Sequence, residues 1–122
     1  MLVAAGFRPG SASGRLARAV RGGRLVGVWH AATRAEAERI LGHIPPLRGL
    51  DAAGLFPEAG RFDGPLQPDR YPLIPGDMDR TFAALAVAAG APLVSADGPL
   101  TAGARAHGVA VLSPSEAARA LL

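Results

Sequence analysis

Cysteine, lysine and asparagine are all missing from the 122 residues. Without cysteine there is no disulfide, no thiolate zinc site and no cysteine nucleophile, and a reducing compartment fits. Without lysine all 13 basic residues are arginine, which removes Walker-type phosphate lysines and Schiff-base lysines. Long apolar runs are also lacking: the most apolar stretch, Thr81 to Val94, is broken by Gly90 and Pro92 and falls short of the ~18 continuous residues a membrane span needs. Met1 to Ala5 has no charged segment ahead of a long apolar one, so no signal peptide is expected and a cytoplasmic location is. Charge of one sign is in modest excess, 13 basic against 10 acidic residues for a net +3. That balance permits an anionic partner without demanding one, because an arginine-only basic set lifts the pI to about 11.0 without a strong field.

What is present suits a globular domain. With 49% hydrophobic residues, 19% charged and mean hydropathy +0.22, the chain is too apolar for disorder. At this length it can bury ~65% of the surface its unfolded form exposes. Short apolar runs alternate with segments of helical period, the order of an α/β protein with a parallel sheet. Strands are expected at Leu2–Ala5, Leu25–Trp29, Pro92–Ala96 and Val109–Leu112. Helices are expected from Ser13 to Arg21, Thr33 to Leu41, Asp79 to Ala89, Leu100 to Ala106, and from Pro114 to the end. Thr33 and Glu36 have capping-box spacing, as do Ser113 and Glu116. Residues 43–76 carry seven prolines and read as irregular cover within one domain spanning 1–122, with a short helix expected near Leu50–Leu55.

Open parallel sheets bind ligands beyond the carboxyl ends of their strands, so acids there come first. Asp97 directly follows the strand Leu93-Val94-Ser95-Ala96. The plain alternative is that Asp97-Gly98 is only a turn. Asp77 and Asp79 open the long helix before Gly90; with Asp77 as its cap, Asp79 shares the inward face with Phe82, Ala83 and Ala86, while Arg80 and Thr81 face outward. Two surface acids at a helix start would account for the pair equally simply. Glu36 has Ile40 as its i+4 neighbour on the apolar side, yet its spacing from Thr33 favours a capping role. Glu38, four residues after Arg34, reads as a solvated ion-pair partner. Three carboxylates converging on one crevice repel unless protonated or neutralised by a cation, and oxygen-only donors select Mg2+ or Mn2+. Phosphodiester hydrolysis is a natural reaction for such a centre.

The residues Asp79-Arg80-Thr81-Phe82, Ala86 to Gly90, Leu93-Val94-Ser95-Ala96-Asp97 with Leu100, and Gly108 to Pro114 resemble the PIN-domain family. Its members are metal-dependent ribonucleases that commonly act as toxins of bacterial toxin–antitoxin pairs. Upstream, Glu36-Ala37-Glu38-Arg39-Ile40-Leu41 resembles the helix carrying the family's second acid, Glu36 being the matching position with Glu38 close by. The resemblance implies a three-layer α/β/α domain with a central, mainly parallel sheet. It also implies Glu36, Asp79 and Asp97 as ligands of Mg2+ or Mn2+, with the Ser95 hydroxyl in support. An RNA substrate and an antitoxin protein are the partners it implies, a homodimer being left open. One departure stands out: Met1-Leu2-Val3-Ala4-Ala5 matches only the apolar part of the family's first strand, whose Asp-Xaa-Asn motif would place its acid three residues before Met1. A start codon assigned inside a longer frame, GTG encoding both valine and a start, is the favoured explanation; a degenerate family member is the other. Lacking that acid, the chain as written is expected to bind metal more weakly.

Other readings are set against this one. Asp77-Met78-Asp79-Arg80-Thr81 matches the Asp-Xaa-Asp-Xaa-Thr motif of haloacid-dehalogenase-like phosphatases, but that motif should follow a buried strand and work with a lysine. A noncatalytic module binding RNA or protein is the serious alternative, and Arg15, Arg18 and Arg21 would line a basic face opposite Leu16 and Val20. His30, His43 and His107 have no metal-pair spacing, while Trp29 and Tyr71 are too isolated for a base-stacking platform.

Overall fold

A computed structural model of the protein describes residues 1–5, 7, 10–42 and 56–122. Its regular elements, in chain order, are β1 (Val3–Ala4), α1 (Ser11–Arg21), α2 (Ala31–Gly42), α3 (Asp77–Ala89), β2 (Leu93–Val94), α4 (Gly98–Ala106), β3 (Val111–Leu112) and α5 (Pro114–Leu121). Single turns of 3-10 helix at Glu58–Gly60 and Pro68–Arg70 are the regular pieces described between α2 and α3. The proline-rich segment is thus irregular where it is described; the helix expected at 50–55 lies outside the described residues.

The sheet is parallel with β1 beside β2 and β2 beside β3, in the registers Val3↔Leu93 and Leu93↔Val111. Two isolated parallel bridges, Leu2↔Gly27 and Trp29↔Arg61, continue the row beyond β1. The strand expected at Leu25–Trp29 is therefore reduced to single bridges. Its backbone pairs with Leu2 through Val26 and Val28 and then changes partner, Trp29 exchanging hydrogen bonds with Gly60 and Phe62, so no two consecutive residues share one ladder. The backbones also come very close here, since a Cβ on Gly60 would sit 1.9 Å from the Gly27 carbonyl oxygen. Only a residue without a side chain fits. Across the row the chain steps outward from β1 to 27–29 and then 61, and later returns to the other side of β1 as β2 and β3. The strand order reverses between β1 and β2, where open α/β sheets form a crevice.

Burial follows the pattern of alternation. Leu2, Val3, Ala5, Leu93, Val94 and Val111 are buried in the strands, and Leu16, Phe82, Leu85 and Leu100 bring helix faces onto them. α1 packs on α5, and α2 on α3. Two helix ends behave as their residues dictate. α3 stops at Gly90, which adopts the left-handed conformation at φ 66. α5 opens with the complete capping box of Ser113 and Glu116, with Pro114 in the first turn.

Two other caps differ from expectation. Thr33 does not cap α2, which begins two residues earlier. The His30 ring takes that role, its Nδ1 accepting from the Ala32 N–H at 2.9 Å while Nε2 pairs with the Gly64 carbonyl oxygen at 3.1 Å. Thr33 instead lies inside the first turn, its buried hydroxyl bonded to the His30 backbone. Glu36 is thereby released from any capping duty. Nor does Asp77 cap α3: it is the first helical residue, Gly76 holds the cap position, and no side chain bonds there.

Candidate functional site

Asp97 stands three residues beyond the end of β2, at the reversal point of the sheet. Its Oδ1 accepts from the Leu100 N–H at 2.8 Å, making it the N-cap of α4. The turn reading and the site reading are compatible, because a cap occupies one carboxylate oxygen. Ser95, almost fully buried, fixes the approach: its Oγ accepts from the Asp97 N–H at 2.9 Å. The Ser95 N–H bonds to Leu112 at 3.0 Å. Ser95 therefore holds the backbone that presents Asp97.

Asp79 lies in the first turn of α3 and is half-buried. Its carboxylate folds back over the helix start, since a Cβ on Gly76 would lie 3.1 Å from Asp79 Oδ2. Arg80, expected to face outward, instead reaches back over the preceding loop, donating from Nε to the Ile74 carbonyl at 2.6 Å. It pairs with Asp77 at 3.4 Å. This leaves Asp79 without that cation while its neighbour clamps the entry to the helix.

Electrostatics ties the acids together. Burial pushes the Asp79 carboxyl above the ordinary aspartate value, and the negative charges of Asp97 and Glu36 push it the same way. Of the two glutamates of α2 that the sequence left open, Glu36 is the one whose charge contributes to the Asp79 shift; Glu38 is exposed and pairs with Arg34 at 3.0 Å. Glu36 has its own cation, since Arg39 one turn on forms a two-pronged ion pair with it. The guanidinium hydrogen bond holds the Glu36 carboxyl below its usual range. Arg39 went unnoticed in the sequence, although its i+3 spacing from Glu36 was a readable signal.

The donors are all oxygens whose mutual repulsion a hard cation would relieve, which in chemistry fits Mg2+ or Mn2+. The fit is incomplete. Among the described residues no group of three or more His, Asp or Glu side chains is gathered closely enough to hold a metal ion. β1 and the following residue contribute Val3, Ala4 and Ala5, none of them a ligand.

The aromatic and histidine side chains that the sequence set aside have structural contacts. Phe82 is core. Trp29 is buried, bonds through Nε1 to the Pro57 carbonyl at 2.8 Å and carries the Arg34 guanidinium 5.1 Å from its ring centroid. His107 ends α4, accepts from the Leu73 N–H at 3.1 Å and packs edge-on against Tyr71. A cavity of about 30 Å³ lined by Leu16, Ala37, Phe56 and Phe82 is apolar and separate from the acids. The Asp77–Thr81 segment follows a 3-10 turn and a loop, not a strand, which removes the phosphatase-motif reading. Compared with family models, curated proteins and solved structures, the chain finds no match in any of the three. No helix among the described residues is long and apolar enough to cross a membrane.

Proposed function

We propose that the protein is a divalent-metal-dependent ribonuclease with a three-layer PIN-like architecture. In this reading it is the cytoplasmic toxin of a toxin–antitoxin pair, taking RNA as substrate and an antitoxin protein as its restraining partner. The observation that carries the proposal is the Asp79 carboxyl, raised by burial and by the charges of Asp97 and Glu36 beside the reversal point of a parallel sheet. Carboxylates shifted by burial and like charge cluster at functional sites, where a bound ligand relieves the repulsion. Asp79 and Asp97 would hold Mg2+ or Mn2+, joined by Glu36 once Arg39 is exchanged for the cation. When bound, the cation polarises a phosphoryl oxygen and makes water a stronger nucleophile. The chain's own part is orientation: Ser95 fixes the backbone of Asp97, the cap bond to Leu100 fixes its Oδ1, and Gly76 leaves room for the Asp79 carboxylate.

A second reading has its own support. Glu36 is already neutralised by Arg39, and the described residues gather no three-ligand group, as in a catalytically degenerate domain that binds RNA or protein. Mn2+ titration by calorimetry together with cleavage of a labelled RNA separates the two. Metal binding and Mn2+-dependent cleavage, both lost in Asp79→Asn, support the ribonuclease. RNA binding with neither metal uptake nor cleavage supports the module.

A further inference from the structure

The C-terminal ends of α1 and α5 border an open groove lined by Arg15, Arg18, Arg24, Leu121 and Leu122. Residues 22–24 lead into the amino end of the 26–29 segment. This groove therefore lies toward the amino ends of the strands, away from Asp97. Arg15, Arg18, Arg21 and Arg24 are exposed, and among the described residues none forms an ion pair. Arg18 and Arg21 occupy the last turn of α1, where the helix dipole alone would favour them. Arg15 and Arg24 lie outside that turn and receive no such benefit.

We propose that this groove receives an acidic amphipathic helix of a partner protein. Arg15 and Arg18 are one helical turn apart, the spacing at which glutamates repeat along one face of a helix. Leu121 and the exposed Leu122 offer an apolar strip beside them. A ligand with carboxylates flanking apolar side chains matches both features. Single-stranded RNA matches them less well, because no aromatic side chain lines the groove to stack a base. The proposal is independent of the metal chemistry at Asp79.

The test is fluorescence anisotropy with a labelled synthetic helix carrying glutamates and leucines on adjoining faces. Its glutamine-for-glutamate counterpart and a single-stranded RNA oligonucleotide serve as competitors. The glutamate peptide is expected to bind, to weaken as added salt screens it, and to lose about 10-fold or more in affinity in the triple variant Arg15→Gln, Arg18→Gln, Arg24→Gln. Leu121→Ser should weaken it as well, whereas Asp79→Asn should not. Circular dichroism establishes that each variant is folded. The idea is overturned by equal binding of the glutamine peptide, by affinity unchanged in the folded triple variant, by no binding at all, or by RNA displacing the peptide from the wild type but not binding the triple variant.

Discussion

Replacing Asp97 by alanine removes both a helix cap and a negative charge, whereas asparagine removes only the charge. The cap is a single 2.8 Å bond from the Leu100 N–H to Oδ1 at the start of a nine-residue helix, so alanine should cost about 1 kcal/mol. For a chain of 122 residues that corresponds to a fall in Tm of about 4 °C. Asparagine keeps the accepting oxygen and caps as well as aspartate. It also relieves the repulsion on Asp79, so its Tm at neutral pH should equal or slightly exceed that of the wild type. In both variants the Asp79 carboxyl, followed by NMR titration, should move down toward the ordinary aspartate value, because one of the two charges raising it is gone. Thermal melts by circular dichroism and the carboxyl titration read the two effects separately. An unchanged Asp79 titration in Asp97→Asn would show that the two acids do not face one another, and would falsify the electrostatic basis of the site. An asparagine variant melting as low as the alanine one would refute the separation of cap from charge.

The raised Asp79 carboxyl also sets a pH dependence. Since the folded state holds this proton to higher pH than the unfolded chain, ionising it lowers stability. The loss is absent below the unfolded value, grows as pH rises through the window up to the folded value, and is complete above it. Asp79→Asn should therefore be the more stable protein in urea at neutral pH, with the gap closing in acid, while losing any Mn2+ binding. A variant less stable than the wild type at neutral pH would contradict this. Gly76→Ala puts a methyl 3.1 Å from Asp79 Oδ2 at an ordinary backbone conformation of φ −92; calorimetry should show weaker Mn2+ binding with little change in Tm, and unchanged binding would count against the placement of that carboxylate. Gly60→Ala would drive a Cβ to 1.9 Å from the Gly27 carbonyl oxygen, so a loss of ~1–3 kcal/mol or more is expected in denaturant unfolding. Wild-type stability there would mean the backbones are farther apart.

Much of the fold could be read locally, wherever a segment's own residues decide the matter. Ser113, Pro114 and Glu116 carry their capping box within four positions, and Gly90 ends α3 because a left-handed residue follows the last turn. The alternation of apolar runs with helical periods gave the parallel α/β order, and the absence of cysteine and lysine excluded thiolate and lysine chemistry without any coordinates. Arg15 and Arg18 opposite Leu16 and Val20 followed from helical spacing alone.

Contacts between distant segments were a different matter. Whether Leu25–Trp29 forms a strand depended on its two partners, Leu2 and Gly60, lying on opposite sides of it. The cap of α2 passed from Thr33 to His30, whose ring is also held by Gly64, thirty-four residues away. That the charge of Glu36 reaches Asp79 depends on α2 packing against α3, a contact between segments some forty residues apart. Sequence alone determined that this protein has acids after a buried strand, at a helix start and within a second helix, because those positions are local. Only the tertiary structure brought their charges within range of one another, since electrostatic coupling depends on separation through space and on shared burial, not on spacing along the chain.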